Sequence, residues 1–239
     1  MATATETNRR AFLWMSTIVG GGTLLPTSFV DQKRGATGTR DTKETTEEVA
    51  PPEDLMREHG VLKRVLLVYE EAIRRIDSKQ DLPPSAVRDS AQIIRTFIED
   101  YHEKLEEDFL FPRFEKAGRL VDLTTVLRAQ HQAGRRLTDH ITQAATTALK
   151  DPQSAARVSD ALRQFIRMYA PHEAREDTVL FPALRQIVSK QEFAALGEDF
   201  EKKEHQLFGE DGFETIVVRV ASIEKTLGIY DLAQFTPKL

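Results

Sequence analysis

Four stretches of the chain space their apolar residues by alternating threes and fours, and each of these stripes contains a histidine. In the first, Leu55, His59, Leu62, Leu66, Tyr69, Ile73 and Ile76 share one face, which is the period of a helix that buries one side. The second, over about 84–117, carries Ile94, Ile98, His102, Leu105 and Phe109 and is closed by Gly118. The third, over about 120–150, carries Leu127, His131, Gly134, Thr138 and Ile141. "DPQS" then opens a fourth, with Val158, Leu162, Phe165, Tyr169, His172, Glu176 and Val179 on its stripe. Nothing has the period of a strand. Short connections make consecutive helices antiparallel neighbours, so the predicted fold is all-α, an up-down-up-down four-helix bundle over residues 53–190. Residues 191–239 are expected to add one or two short helices packed on it, with "GEDG" as a turn.

One histidine in an apolar stripe is ordinarily a core residue; four, one to a helix, ask for a common purpose. The phrase "HEKLEEDFLFP", from His102, returns as "HEAREDTVLFP", from His172. Each copy sets a glutamate four residues after its histidine, Glu106 and Glu176, about 40° away on the same helical face. A lone H-x-x-x-E also arises as an exposed ion pair, whereas two copies in one register on buried stripes are specific. His59 to His131 is 72 residues and His102 to His172 is 70, the signature of a duplicated hairpin. Duplication predicts two metals about a pseudo-twofold axis, with two imidazoles each, both carboxylates bridging and one coordination position open per metal. The chain has no cysteine, which excludes disulfides, thiolate metal sites and cysteine nucleophiles. Imidazole with carboxylate suits iron or manganese, and so many nitrogens disfavour calcium. Iron is the expected metal.

The order H, H-x-x-x-E, H, H-x-x-x-E on four helices, with "LFP" after each pair, resembles the hemerythrin-like (HHE cation-binding) family over about residues 53–190. The resemblance implies a carboxylate-bridged, non-haem di-iron centre held by His59, His102, Glu106, His131, His172 and Glu176, with manganese as the alternative metal. It implies an open site that meets dioxygen, nitric oxide or peroxide. Oxygen-carrying hemerythrins place a further histidine one turn after the third-helix ligand; here that position is Arg135. The four-His, two-Glu set is more similar to that of the di-iron repair proteins of nitrosative stress, whose cysteine-bearing N-terminal domain this chain lacks.

The first 30 residues read as an export signal. Arg9 and Arg10 precede an apolar run from Ala11 to Leu25 interrupted by Gly20, Gly21 and Gly22, and the paired arginine with Phe12 and Leu13 resembles a twin-arginine signal. This implies passage through the twin-arginine export machinery to a periplasmic or other extracytoplasmic location, with membrane contact only through the signal. Residues 31–52, polar and rich in Gly and Thr, are expected to form a disordered linker. A net charge of −5, with Lys and Arg interleaved among Asp and Glu, argues against a nucleic-acid partner.

Other residues carry weaker expectations. His140, half a turn out of phase with His131, faces outward; His205 caps the bundle end or approaches the site as a lid or spare ligand, with a purely structural role favoured. Tyr169 donates to the metal pocket or simply packs, and Glu103 and Glu173 are candidate acceptors for neighbouring imidazoles. Pro112 and Pro182 are expected to kink or end their helices and Pro171 to distort the fourth; Leu110–Phe111 and Leu180–Phe181 read as core. The resulting function is a redox-active protein that senses, binds or detoxifies a small molecule. The alternatives are an iron-scavenging module without turnover, and a structural bundle whose buried His and Glu satisfy one another, which burial costs disfavour.

Overall fold

The computed structural model describes residues 49–147 and 151–237; the export signal and most of the linker expected within residues 1–52 lie outside them. The first helix, α1, spans Pro51–Asp77, with Pro51 and Pro52 in its first turn, where a missing N–H forfeits no bond, and the Ala50 N–H donating to Glu53. The second, α2, covers residues 84–117 and stops at Gly118, whose φ of 62° is the left-handed closure glycine permits. Helix α3 spans Val121–Thr147. Helix α4 covers residues 152–184 and starts under an Asp151 cap that accepts from the Ser154 N–H. The α1–α2, α2–α3, α3–α4 and α4–α1 pairs all pack, closing a square bundle. No strand occurs among the described residues.

Of the two outcomes expected at Pro112 and Pro182, a kink or an end, the end does not occur. Neither Pro112 nor Pro182 ends its helix: each follows a π-helical turn, Glu106–Leu110 or Glu176–Leu180, and the α-helix resumes at Phe111–Ala117 and Phe181–Leu184. A proline ring would strike the carbonyl four residues back. Here the preceding N–H groups, of Phe111 and Phe181, reach back to the carbonyls of Glu106 and Glu176 instead, and the widened turn makes room for the ring. Both wide turns therefore begin at the glutamates of the repeated phrase. A further π segment, Ile94–His102, lies only in α2. Pro171 sits within the continuous α-helical segment Pro152–Arg175.

Two more helices follow. In α5, Lys190–Phe208, Ser189 and Glu192 exchange hydrogen bonds as a capping box. Helix α6, Gly212–Leu227, lies across α1 and α2, and Arg64 of α1 grips Glu224 of α6 through both guanidinium arms, at 2.9 and 2.5 Å. This C-terminal pair covers one side of the square; no described helix covers the side made by α3 and α4. No helix among the described residues is long and apolar enough to cross a membrane.

Candidate metal centre

The interior of the square holds His59 from α1, His102 and Glu106 from α2, His131 from α3, and His172 and Glu176 from α4, none more than 4% exposed. Their stripes bring them to one level, and the imidazoles form two pairs. The Nε2 atoms of His59 and His102 lie 3.0 Å apart, and those of His131 and His172 lie 3.2 Å apart. Each glutamate spans both pairs. Glu106 sets Oε1 3.8 Å from His102 and Oε2 3.3 Å from His131; Glu176 sets Oε2 3.4 Å from His59 and Oε1 3.1 Å from His172.

The outer nitrogens explain why the inner ones converge. His59 Nδ1 lies 2.7 Å from Asp177, His102 Nδ1 2.7 Å from Glu58, His131 Nδ1 3.1 Å from Glu107 and His172 Nδ1 2.8 Å from Gln130. These oxygens accept, so each Nδ1 carries a hydrogen, and in the neutral ring the Nε2 lone pair then faces inward. The pairing follows the duplication. The residue before the lone histidine (Glu58, Gln130) holds the next helix's His102 or His172, and the residue after the glutamate (Glu107, Asp177) holds His131 or His59. Phe181 stacks on His59 at 5.4 Å between ring centres and Phe111 on His131 at 5.5 Å, so these core phenylalanines also wall the imidazoles.

This constellation fits a cation. Both oxygens of Glu106 and both of Glu176 are buried without an aligned hydrogen bond, an arrangement costly without compensation. The imidazole nitrogens lie 3.1–3.8 Å from these oxygens without an aligned hydrogen bond to them. Burial, with the like charge of Glu176, pushes the Glu106 carboxyl well above the ordinary range. Burial would raise Glu176 too, but His172 and His59 outweigh it and hold its carboxylate low. Burial opposes charge on His59, yet Asp177 and Glu176 raise it to about 9; His102 and His131 are lowered, chiefly by burial. The clusters Glu106–His131–His172–Glu176 and His59–His102–Glu106 each bring ligand atoms within 4.8 Å of one another.

The neighbouring residues sort themselves differently from the sequence reading. Glu103 does not orient an imidazole: it lies 4.0 Å from His131 Nδ1, accepts from the Tyr169 hydroxyl at 2.6 Å, and faces Arg135 at 2.7 Å. Burial lifts its pKa to about 8 despite these partners. Glu173 faces Lys63 at 4.0 Å. Arg135, in place of a further histidine, also donates to Glu107 at 2.8 Å. The Tyr169 hydroxyl thus goes to Glu103 while its ring packs edge-on against His172 at 5.4 Å, and the hydroxyl takes the space that a Cβ on Gly134 would need. His140 and His205 are exposed, outside the centre. Glu58, Glu107, Gln130 and Asp177 were the residues the sequence reading passed over; their signal was adjacency to a ligand at the same place in both halves.

Comparison with known proteins places the whole arrangement. The chain matches the hemerythrin HHE cation binding domain over residues 50–184 and again over 122–235. Uncharacterized proteins of Mycobacterium bovis and Mycobacterium tuberculosis are each 57% identical to it over 190 residues, 79% of this chain and 74% of theirs. No solved structure matches.

Proposed function

Since the chain belongs to the hemerythrin HHE cation-binding family, we propose that its buried centre is a non-haem di-iron site that meets dioxygen, nitric oxide or peroxide, in an exported protein. The carrying observation is that each of Glu106 and Glu176 presents one oxygen to each imidazole pair. His59 and His102 would hold one ion, His131 and His172 the other, and the two carboxylates would bridge. Manganese is the alternative for the same donors. Iron would supply redox chemistry and a free coordination position for a small ligand.

The protein's own residues set the conditions. Asp177, Glu58, Glu107 and Gln130 fix the ring orientations before any ligand arrives, a role that in metal sites commonly contributes about 10- to 100-fold in affinity. Phe111 and Phe181 close apolar walls over His131 and His59, which keeps bulk water from the inner nitrogens. Arg135 faces Glu103 and Glu107 beside the centre and offsets their charge there.

For the export reading, the support is the Arg9–Arg10 pair followed by Phe12, Leu13 and a short apolar run; the route proposed is the twin-arginine machinery, to the periplasm or another extracytoplasmic space, with no nucleic-acid partner. The deciding experiment is metal analysis of the wild type beside His102→Ala and Glu176→Ala. About two irons per chain in the wild type and loss in both variants is the expected result; unchanged iron in both variants would remove the site. Spectra of the loaded protein with dioxygen, nitric oxide and peroxide then separate a reactive centre from an iron-scavenging module, which would be inert to all three.

A further inference from the structure

The duplicated bundle offers two equivalent side faces, and among the described residues only one is covered. Adding 72 to residues of α1 and 70 to residues of α2, the offsets of the histidines, carries the α1–α2 face onto the α3–α4 face. On the first, Val61, Val65, Val68, Ile94, Phe97 and Ile98 are all at most 1% exposed, because α6 lies across α1 and α2. Arg64 on this face is held by Glu224 of α6. The corresponding residues on the second face are Ala133, Leu137, His140, Gln164, Arg167 and Met168, and they line an open groove of about 590 Å³.

The chemistry of the two faces has diverged. Where the covered face is apolar, the groove presents Arg167 and His140 at the positions of Phe97 and Val68. Arg136 stands at the position of Arg64 without a carboxylate partner among the described residues, whereas Arg64 is held by Glu224. Among the described residues, no acidic side chain lines the groove. The floor follows the same rule: the position of Glu58 is occupied by Gln130, a neutral amide, although both serve the same purpose toward a histidine. Two guanidiniums without carboxylate partners among the described residues, amides and a small apolar floor, with no carboxylate among the described lining residues, make a surface for a carboxylate or phosphate carried on a small organic body. The volume lies in the range of small-molecule sites.

We infer that the α3–α4 groove is a binding site for a small organic anion, seated between Arg136 and Arg167 over Gln130. The occupant would lie one hydrogen-bonded side chain from His172, since Gln130 both lines the groove and accepts from His172 Nδ1. This reading does not require a metal at the centre.

Titration of the isotope-labelled full chain with succinate and, separately, with inorganic phosphate tests it by nuclear magnetic resonance. Expected are saturable shifts of the Gln130 side-chain amide and the His140 ring for at least one probe, with affinity at least tenfold weaker in Arg136→Gln/Arg167→Gln. Gln130→Glu, which puts a carboxylate in the floor, should weaken binding by a similar factor. Circular dichroism and thermal melting check that these variants remain folded. Response to succinate alone would mark an organic carboxylate ligand, and response to phosphate a phosphorylated one. Absence of saturable shifts with both probes, binding unchanged in the double variant, or sedimentation showing a dimer that buries this face would overturn the proposal.

Discussion

In the α1–α2 hairpin His102 leans on a carboxylate, Glu58, which also accepts from the buried Tyr101 hydroxyl at 3.0 Å, and the hairpin lies under α6. In the α3–α4 hairpin His172 leans on the Gln130 amide beside an open groove. The inward geometry of the two is nearly the same, with paired nitrogens 3.0 and 3.2 Å apart. A carboxylate behind an imidazole makes it a more basic ligand than an amide does. The difference teaches that helical periodicity fixes the converging atoms, while the residues one step away decide how alike the two positions are.

The severest way to break this comparison is to remove an atom that both halves share. Because Glu106 and Glu176 each reach both imidazole pairs, Glu106→Ala should strip iron from both positions, leaving well under one per chain. His59→Ala should spare the opposite pair and retain about one. Metal content by mass spectrometry separates the cases, and equal loss in the two variants would mean that the pairs do not act as separate positions.

Gly134 and Leu62 occupy matching places in the two halves, yet only Gly134 faces the Tyr169 hydroxyl. Gly134→Ala drives a methyl into that oxygen, and since Glu103 holds the hydroxyl in place the cost should approach the upper end for overpacking, about 3 kcal/mol. Urea unfolding should recover part of that loss when Tyr169→Phe is added. No recovery would show that the tight contact is to the ring or the helix backbone rather than to the hydroxyl.

Exchanging the outer partners sharpens the comparison most directly. Glu58→Gln makes the first half resemble the second, and should weaken iron at the His59–His102 position about tenfold, the lower end for such partners, with the other position unaffected. Competition with a chelator resolves two binding steps in the wild type if the halves differ. A single step in both proteins would show that the acceptor's charge does not matter here.

Which of these features could be read from the sequence depends on the range of the interactions involved. The stripes containing His59, His102, His131 and His172, and the two H-x-x-x-E pairs, are local patterns, set by 3.6 residues per turn, and a helix conveys them without reference to its neighbours. The acceptors at Nδ1 are contacts between helices, so adjacency misleads: Glu103, next to His102, serves Tyr169 and Arg135, whereas Glu107, next to Glu106, serves His131 on another helix. The turns at Pro112 and Pro182 were hidden for a related reason. Proline marks a lost hydrogen bond, but whether a helix stops or widens depends on how the residues around the proline are buried, and Phe111 and Phe181 are fully buried against the centre.

The smallest effects belong to the cations. Lys63 and Arg135 hold matching places. Arg135 sits 2.7 Å from Glu103 and 2.8 Å from Glu107, whereas Lys63 stays 53% exposed, 4.0 Å from Glu173 and 3.7 Å from Asp177. Burial lifts the Glu103 pKa to about 8, so near neutral pH the charged partner of Arg135 is Glu107; that pair should reach the upper end for pairs near solvent, about 1 kcal/mol, and Arg135→Gln should lose that much in urea unfolding. Lys63→Gln should stay within about 0.5 kcal/mol of the wild type, as ordinary surface changes do. Arg135→Lys makes the sharper case, because it keeps the charge but not the fork. If stability follows charge alone it should match the wild type, and if the two-armed grip matters it should fall toward Arg135→Gln.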